Sequence, residues 1–361
     1  MGGLTRDRRR LPVWLLCAVL AVSAPNVFAA ERFIRLAEIQ VWADWRGPEV
    51  GRLLSKMYNE TGRSHVFRLR PTGDYFVWDR ERMRGWIQEA ARLGCFNLFN
   101  LGDDTPTADG HLFTAAGLNP KYRDFYFETV AYAHQQGFMV GVEPRALPRP
   151  ATRESVRAWA QSFLDPALGR EERTDVIKMS IEWFGAYRHN PEIAPETEHF
   201  IEGIRDVNPK VLVYLDSIGG AWRQVRAYHS WIMSRYPEII ISHYLNTDQV
   251  EAFRAAGAAN MMVQINPQEF QPDDGQFFVF HDRTVKSLKE VVARKVTLLS
   301  VAGVNYGYNA YNYDLFLDVI RPYLGLVKDV EALRAVLGTN KPVRQITMEQ
   351  VRSEELAAKK R

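Results

Sequence analysis

Cysteine is almost missing from this chain. Only Cys17 and Cys95 occur among 361 residues, and Cys17 lies in an N-terminal apolar run. If that run is removed, the single remaining thiol cannot close an intrachain disulfide. A disulfide-stapled small scaffold is therefore excluded, and the fold must stand on its core. Charge of one sign is also lacking. Lys and Arg total 46 against 43 Asp and Glu, a formal net charge of +3, which gives no electrostatic footprint for nucleic acid. Beyond residue 22 no apolar stretch has the length of a transmembrane helix. The eight His are scattered, with no His-x-His pair, which disfavours a metal-dependent hydrolase. No Gly-x-Ser-x-Gly elbow is present, which disfavours a serine hydrolase. The expectation is no metal and no cofactor.

What is present begins with a targeting pattern. Arg6, Arg8, Arg9 and Arg10 form a basic region, Leu11 to Val22 an apolar one, and Val27-Phe-Ala29 a small-residue cleavage site. Residues 1–29 read as a signal peptide, so the mature chain is expected to be exported, periplasmic or extracellular, and free of the membrane after cleavage. About 330 residues remain, a normal length for a single α/β barrel.

Residues 30–64 read as a leading segment, with Phe33 to Trp42 alternating in part and Glu49 to Asn59 resembling a short helix. From His65 a strand–helix rhythm sets in. The strands expected are 65–70, 96–101, 138–142, 176–181, 211–215, 239–242, 261–265 and 296–301. A helix follows each, the last at about 313–326. Eight strands in strict alternation with eight helices is the count of a (β/α)8 barrel over 65–339, followed by a charged tail at 340–361.

The stretch around which the chain is organised is Asp175 to Phe184. Ile177, Met179 and Ile181 fall on one face of a strand, and Lys178, Ser180 and Glu182 on the other. Such a strand suits a parallel barrel with one face under helices and the other lining a polar site, with Glu182 at the C-terminal mouth. The same parity sends Arg68 and Arg70 inward from the first expected strand and Gly141 and Glu143 from the third, with Arg145 just above. It sends Tyr214 and Asp216 inward from the fifth and Gln264 and Asn266 from the seventh. In the sixth either His243 or Tyr244 points in. Ordinary barrel interiors are filled by branched apolar residues, and buried charges are costly unless paired. Some of Arg68, Arg70 and Lys178 should therefore neutralise Glu143 and Asp216.

Mouth carboxylates suggest glycosidic chemistry, in which one carboxyl donates a proton to the leaving oxygen and the other acts as nucleophile or base. A separation of about 5–5.5 Å implies retention and about 6.5–9.5 Å inversion. Glu182 with Asp216 is the favoured pair, with Glu143 third. The loops at this end carry aromatic and amide groups suited to sugars: Trp78, Trp183, and the alternating Asn305, Tyr306 run through Tyr313. Asp74 lies in a loop at the same end.

In Lys178-Met-Ser-Ile-Glu-Trp183, Tyr214-Leu-Asp216 and Tyr132 through Glu143 the chain resembles the (β/α)8 glycoside hydrolase superfamily. The resemblance covers the whole mature chain as architecture and implies a hydrolase acting on O-glycosyl bonds of a poly- or oligosaccharide. It departs from the largest clan where Ile181 precedes the strand-four acid and where Gln264 and Asn266 stand at strand seven, so no family within it is assigned. These departures keep a non-catalytic polysaccharide-binding barrel as the alternative. The inward Arg residues suggest a third possibility, a site for acidic sugars.

Overall fold

A computed structural model of the chain describes residues 31–42, 44–45, 65–68, 76–103, 107, 109–180, 193–217, 222–244, 250–265, 268–271, 276–279, 281–301, 317–345, 347, 349–350, 353 and 357. For Arg68, Ser180, Asp216, His243 and Tyr244 the description extends to the backbone alone. Eight strands close on themselves: β1 (Leu36–Val41), β2 (Leu98–Gly102), β3 (Met139–Glu143), β4 (Val176–Ser180), β5 (Leu212–Ser217), β6 (Ile240–Tyr244), β7 (Met261–Ile265) and β8 (Leu298–Val301). Every neighbouring pair is parallel, and β8 returns to β1 through Leu36–Leu298 and Glu38–Ser300. Among the described residues the helices alternate with them: α1 (Arg80–Leu93), α2 (Arg123–Gln135), α3 (Arg153–Leu164), α4 (Ile193–Val207), α5 (Trp222–Arg235), α6 (Val250–Ala255), α7 (His281–Ala293) and α8 (Val330–Val336). The chain is an α/β barrel of the (β/α)8 type.

Local chemistry sets the helix ends. Asp79 caps α1 by accepting from the Arg82 N–H at 2.8 Å, and Gly94 ends it with φ of 63°. Thr152 and Ser155 form a reciprocal capping box at α3.

The first expected strand was placed wrongly. Strand one is Leu36–Val41, so the barrel begins within the segment expected to precede it. His65–Arg68 instead forms a three-stranded antiparallel sheet with Gln268–Gln271 and Gln276–Val279. That sheet is built from the β1–α1 and β7–α7 connections, which leave the barrel at its C-terminal face. Arg68 therefore does not belong to the barrel wall. Of the helix expected at about 313–326, residues 313–316 lie outside the described residues, Leu317 is helical, and Arg321–Tyr323 is a single 3-10 turn, so the expected C-terminal end is too late. Pro322 and Gly325 both oppose a continuous helix there.

Strand alternation divides the barrel wall cleanly. The outward residues, such as Ile39, Phe99, Val140, Ile177, Leu215, Ile241, Val263 and Leu299, join the helices in one apolar cluster. The inward residues nearest the N-terminal ends form a second: Leu36, Leu98, Met139, Val176, Leu212, Ile240, Met262 and Leu298. Val330 and Leu333 of α8 pack onto this floor and close the barrel from below. Asn97 ties the closure to the wall, since its Nδ2 donates to the carbonyls of Arg35 and Val327 at 2.9 and 2.8 Å. Burying each floor Leu is worth about 1.5–3 kcal/mol.

Above the floor the inward positions turn polar, and two glycines make the room. A Cβ on Gly141 would meet Asn100 Cγ at 3.2 Å, and one on Gly102 would overlap the Trp42 indole and crowd Gln40. Gly102→Ala is expected to destabilise the protein by about 1–3 kcal/mol through overpacking, measured by urea unfolding. An unchanged midpoint would show that Trp42 moves aside freely.

Candidate functional site

The upper interior holds a hydrogen-bonded ring drawn from four strands. Lys178 of β4 and Glu143 of β3 form an ion pair at 2.8 Å, with both side chains 1% exposed. Lys178 Nζ also donates to Gln264 Oε1 of β7 at 3.1 Å and to Gln40 Oε1 of β1 at 3.3 Å. Gln40 Nε2 donates to Glu143 Oε2. Each glutamine thus accepts from the ammonium, and Gln40 passes polarity on to the carboxylate. Pairing of this kind is what makes two charges tolerable in a buried site.

A second polar group involves the neighbouring inward positions. Glu38 Oε1 accepts from Tyr214 OH at 2.5 Å and from Asn100 Nδ2, and Asn100 Nδ2 also lies 2.9 Å from Tyr214 OH. Lys178 Nζ stands 6.0 Å from the Tyr214 ring centroid, within reach of its π face. Glu38 Oε2, Asn100 Oδ1 and Ser300 Oγ are buried without hydrogen-bond partners among the described residues. The interior can therefore receive hydrogen bonds as well as present charge. Among the described residues no group of three His, Cys, Asp or Glu converges where a metal ion could sit.

A third feature lies at the rim. Asp103 follows β2 directly, and its N–H donates to the Glu143 carbonyl at 3.0 Å. Its carboxylate accepts from the N–H groups of Leu112 and Phe113 at 2.7 and 3.0 Å. His111 Nδ1 lies 2.9 Å from the Asp103 carbonyl oxygen and 3.4 Å from Oδ1. Burial pushes the Asp103 carboxyl up, against the opposing pull of His111 and the two N–H groups. The hydrogen bond to Asp103 holds the His111 imidazole above its ordinary 6.5, against burial and the Arg145 guanidinium.

The structure brings Glu143, Lys178 and Gln264 together, as strand parity predicts. Asp216 sits on β5 with its backbone paired to Ser180 and Ser242. His243 and Tyr244 end β6. Arg145 is exposed just beyond β3. Trp78 is no open platform, being 8% exposed and packed on Phe125 at 5.5 Å between ring centroids. It immediately precedes the α1 cap, where an apolar residue anchors the helix entry. Arg70, Asp74, Glu182, Trp183, Asn266, Asn305 and Tyr306 lie outside the described residues. Sequence reasoning missed Glu38 and Gln40, although Leu36-Ala-Glu-Ile-Gln-Val41 carries the same alternation that singled out strand four. It also missed Asn100 and the Asp103–His111 pair.

Removing one member of the buried ion pair leaves an uncompensated charge. Lys178→Ala or Glu143→Ala should cost about 3–5 kcal/mol in denaturant unfolding, and the Glu143→Gln, Lys178→Met double variant clearly less. Equal losses in single and double variants would contradict the pairing. His111, with its folded pKa raised, contributes stability that is complete below pH 6.5 and lost as pH rises through the raised value. The wild-type melting temperature should therefore fall across that window, and His111→Gln should flatten the profile.

No protein-family model matches the chain, and no curated protein matches it. Solved structures do resemble it. A glycoside hydrolase family 5 protein from Bacteroides vulgatus has a TM-score of 0.47 at 13% identity, over 76% of this chain and 59% of that one. A GH53 catalytic domain from Ignisphaera aggregans has a TM-score of 0.44 at 11% identity, over 83% and 98%. A 7,8-dihydropteroate synthase from Vibrio fischeri has a TM-score of 0.44 at 7% identity, over 80% and 91%. Likenesses this distant span more than one chemistry and carry no argument about activity, so the fold assignment stands on the closed eight-stranded barrel itself.

Proposed function

We propose that this chain is a glycoside hydrolase that cleaves a poly- or oligosaccharide at the C-terminal mouth of its barrel. The observation that carries the reading is the change of the inner wall from an apolar floor to a ring of charge and amides. A core needing only stability would continue the apolar layers upward. Polar side chains held by one another on rigid strands are the preorganised environment that charge development in a transition state requires.

The roles divide by surroundings. Glu143 has its charge balanced by Lys178 and is engaged by Gln40, so it serves as an electrostatic support. Asp216, on the strand next to β4, is assigned the ionised role of nucleophile or base. Glu182, two residues past Ser180, is assigned proton donation to the leaving oxygen. The basic and apolar pattern of residues 1–29 supports export of the mature chain.

The second reading, a polysaccharide-binding barrel without turnover, is favoured by one specific observation: Glu143 is already consumed in an ion pair. The two readings separate on a panel of plant and bacterial polysaccharides, scored by released reducing ends. Glycosidase action predicts release by the mature protein and a loss of about 10²–10⁴-fold in Glu182→Gln. Undiminished release in that variant moves the chemistry to Asp216 and Glu143. Binding without release in either protein selects the second reading.

A further inference from the structure

We infer that the pocket on the N-terminal face of the barrel, walled by Arg173, Lys210 and the start of α8, binds a small molecule carrying an oxyanion, a phosphate or a carboxylate. It lies at the opposite end from the proposed hydrolytic mouth and does not rest on that reading.

The pocket has a volume of about 260 Å3, a little below the roughly 300–1,000 Å3 of a site for a drug-sized ligand. Three segments wall it. Residues 173–175 lead into β4, residues 208–211 lead into β5, and residues 329–331 open α8. Backbone bonds hold the first two together: the Asp175 N–H donates to the Val140 carbonyl at 2.8 Å, and the Asp175 carbonyl accepts from the Leu212 N–H at 3.0 Å. Asn208 Oδ1 accepts from the Lys210 N–H at 3.0 Å. Arg334 of α8 donates through Nη2 to the Lys210 carbonyl at 2.8 Å, which ties the third wall to the second. The walls are therefore fixed before a ligand arrives, which lowers the ordering cost of binding.

The lining groups divide by whether they already have partners. Asp175 Oδ2 lies 2.8 Å from His134 Nε2 and accepts from the Val140 N–H at 2.9 Å. Asp329 Oδ1 accepts from the Ala332 N–H at 2.8 Å as the cap of α8. Thr174 Oγ1 is bonded to Tyr126 OH, and Asn208 Nδ2 donates to the Leu164 carbonyl at 3.3 Å. The Arg173 guanidinium and the Lys210 ammonium differ. Neither makes a hydrogen bond or ion pair among the described residues, although Arg173 is half-buried. A guanidinium drawn partly out of water without a partner costs stability that a bound acceptor offsets. Its planar fork fits two oxygens of a phosphate or carboxylate, and Lys210 adds a point charge. Glu331 is the one lining acid without a partner among the described residues, and it is exposed. Two unpartnered cations against one unpartnered acid favour an anion. Glu331 restricts it to a compact one, since an extended polyanion would meet that carboxylate.

The test is calorimetric titration of the mature protein with inorganic phosphate and with malonate, at an ionic strength matched by sodium chloride. The inference predicts saturable binding of one probe molecule per chain. Binding of phosphate alone assigns a phosphate ester as the ligand class, binding of malonate alone assigns a carboxylate, and binding of both makes the oxyanion itself the determinant. Affinity should fall about tenfold in Arg173→Gln and in Lys210→Gln, and rise in Glu331→Gln. Neither cation has a partner to lose, so both variants should keep the wild-type melting temperature without probe, which separates lost binding from lost folding. Absence of saturable binding by both probes overturns the inference. So does unchanged affinity in Arg173→Gln, or weaker binding in Glu331→Gln.

Discussion

The interior of this barrel depends on one ion pair. Two charges drawn out of water cost several kcal/mol each, and that cost is offset only when they meet each other and further hydrogen-bonding groups. Lys178 and Glu143 do so at 2.8 Å, and Gln40 and Gln264 also accept from the ammonium. The requirement reaches across the molecule, because the four residues stand on β1, β3, β4 and β7. The register of those strands, the small inner residues at Gly102 and Gly141, and the closure of β8 onto β1 all have to hold for the ring to form.

The apolar floor and the polar ring are complementary parts of one design. Leucines, methionines and branched residues fill the N-terminal half, and α8 shuts it from outside. Stability is thereby concentrated where no ligand enters. The C-terminal half is left to groups that cost stability and offer chemistry. Glu38, Asn100 and Ser300 show that cost directly, with buried acceptor atoms lacking partners among the described residues. Such atoms are tolerated in a fold that is sealed and well packed below them.

Much of this was legible in the residues. The βα rhythm gives the barrel, and parity gives the inward placement of Glu143, Lys178, Tyr214 and Gln264, because strand alternation is a local geometric rule. Strand one was not recovered from the count. His65–Arg68 alternates as well as a barrel strand does, and only pairing over more than 200 residues of chain, to Gln276–Val279, shows that it lies in another sheet. Missing Leu36–Val41 meant missing Glu38 and Gln40. Trp78 illustrates another limit: aromatic chemistry is the same in a sugar platform and in a core, and only its packing on Phe125 separates them. The Asp103–His111 pair joins residues eight apart through a loop, which no periodicity reports.

The most direct test of the account is a crystal structure of the Glu182→Gln protein with a bound oligosaccharide taken from the polymer it recognises. The account predicts a sugar ring at the C-terminal mouth, above the Lys178–Glu143 pair and within hydrogen-bond reach of the groups around it. An oligosaccharide seated on the helix layer or against the α8 end, with the mouth holding only water, would contradict it.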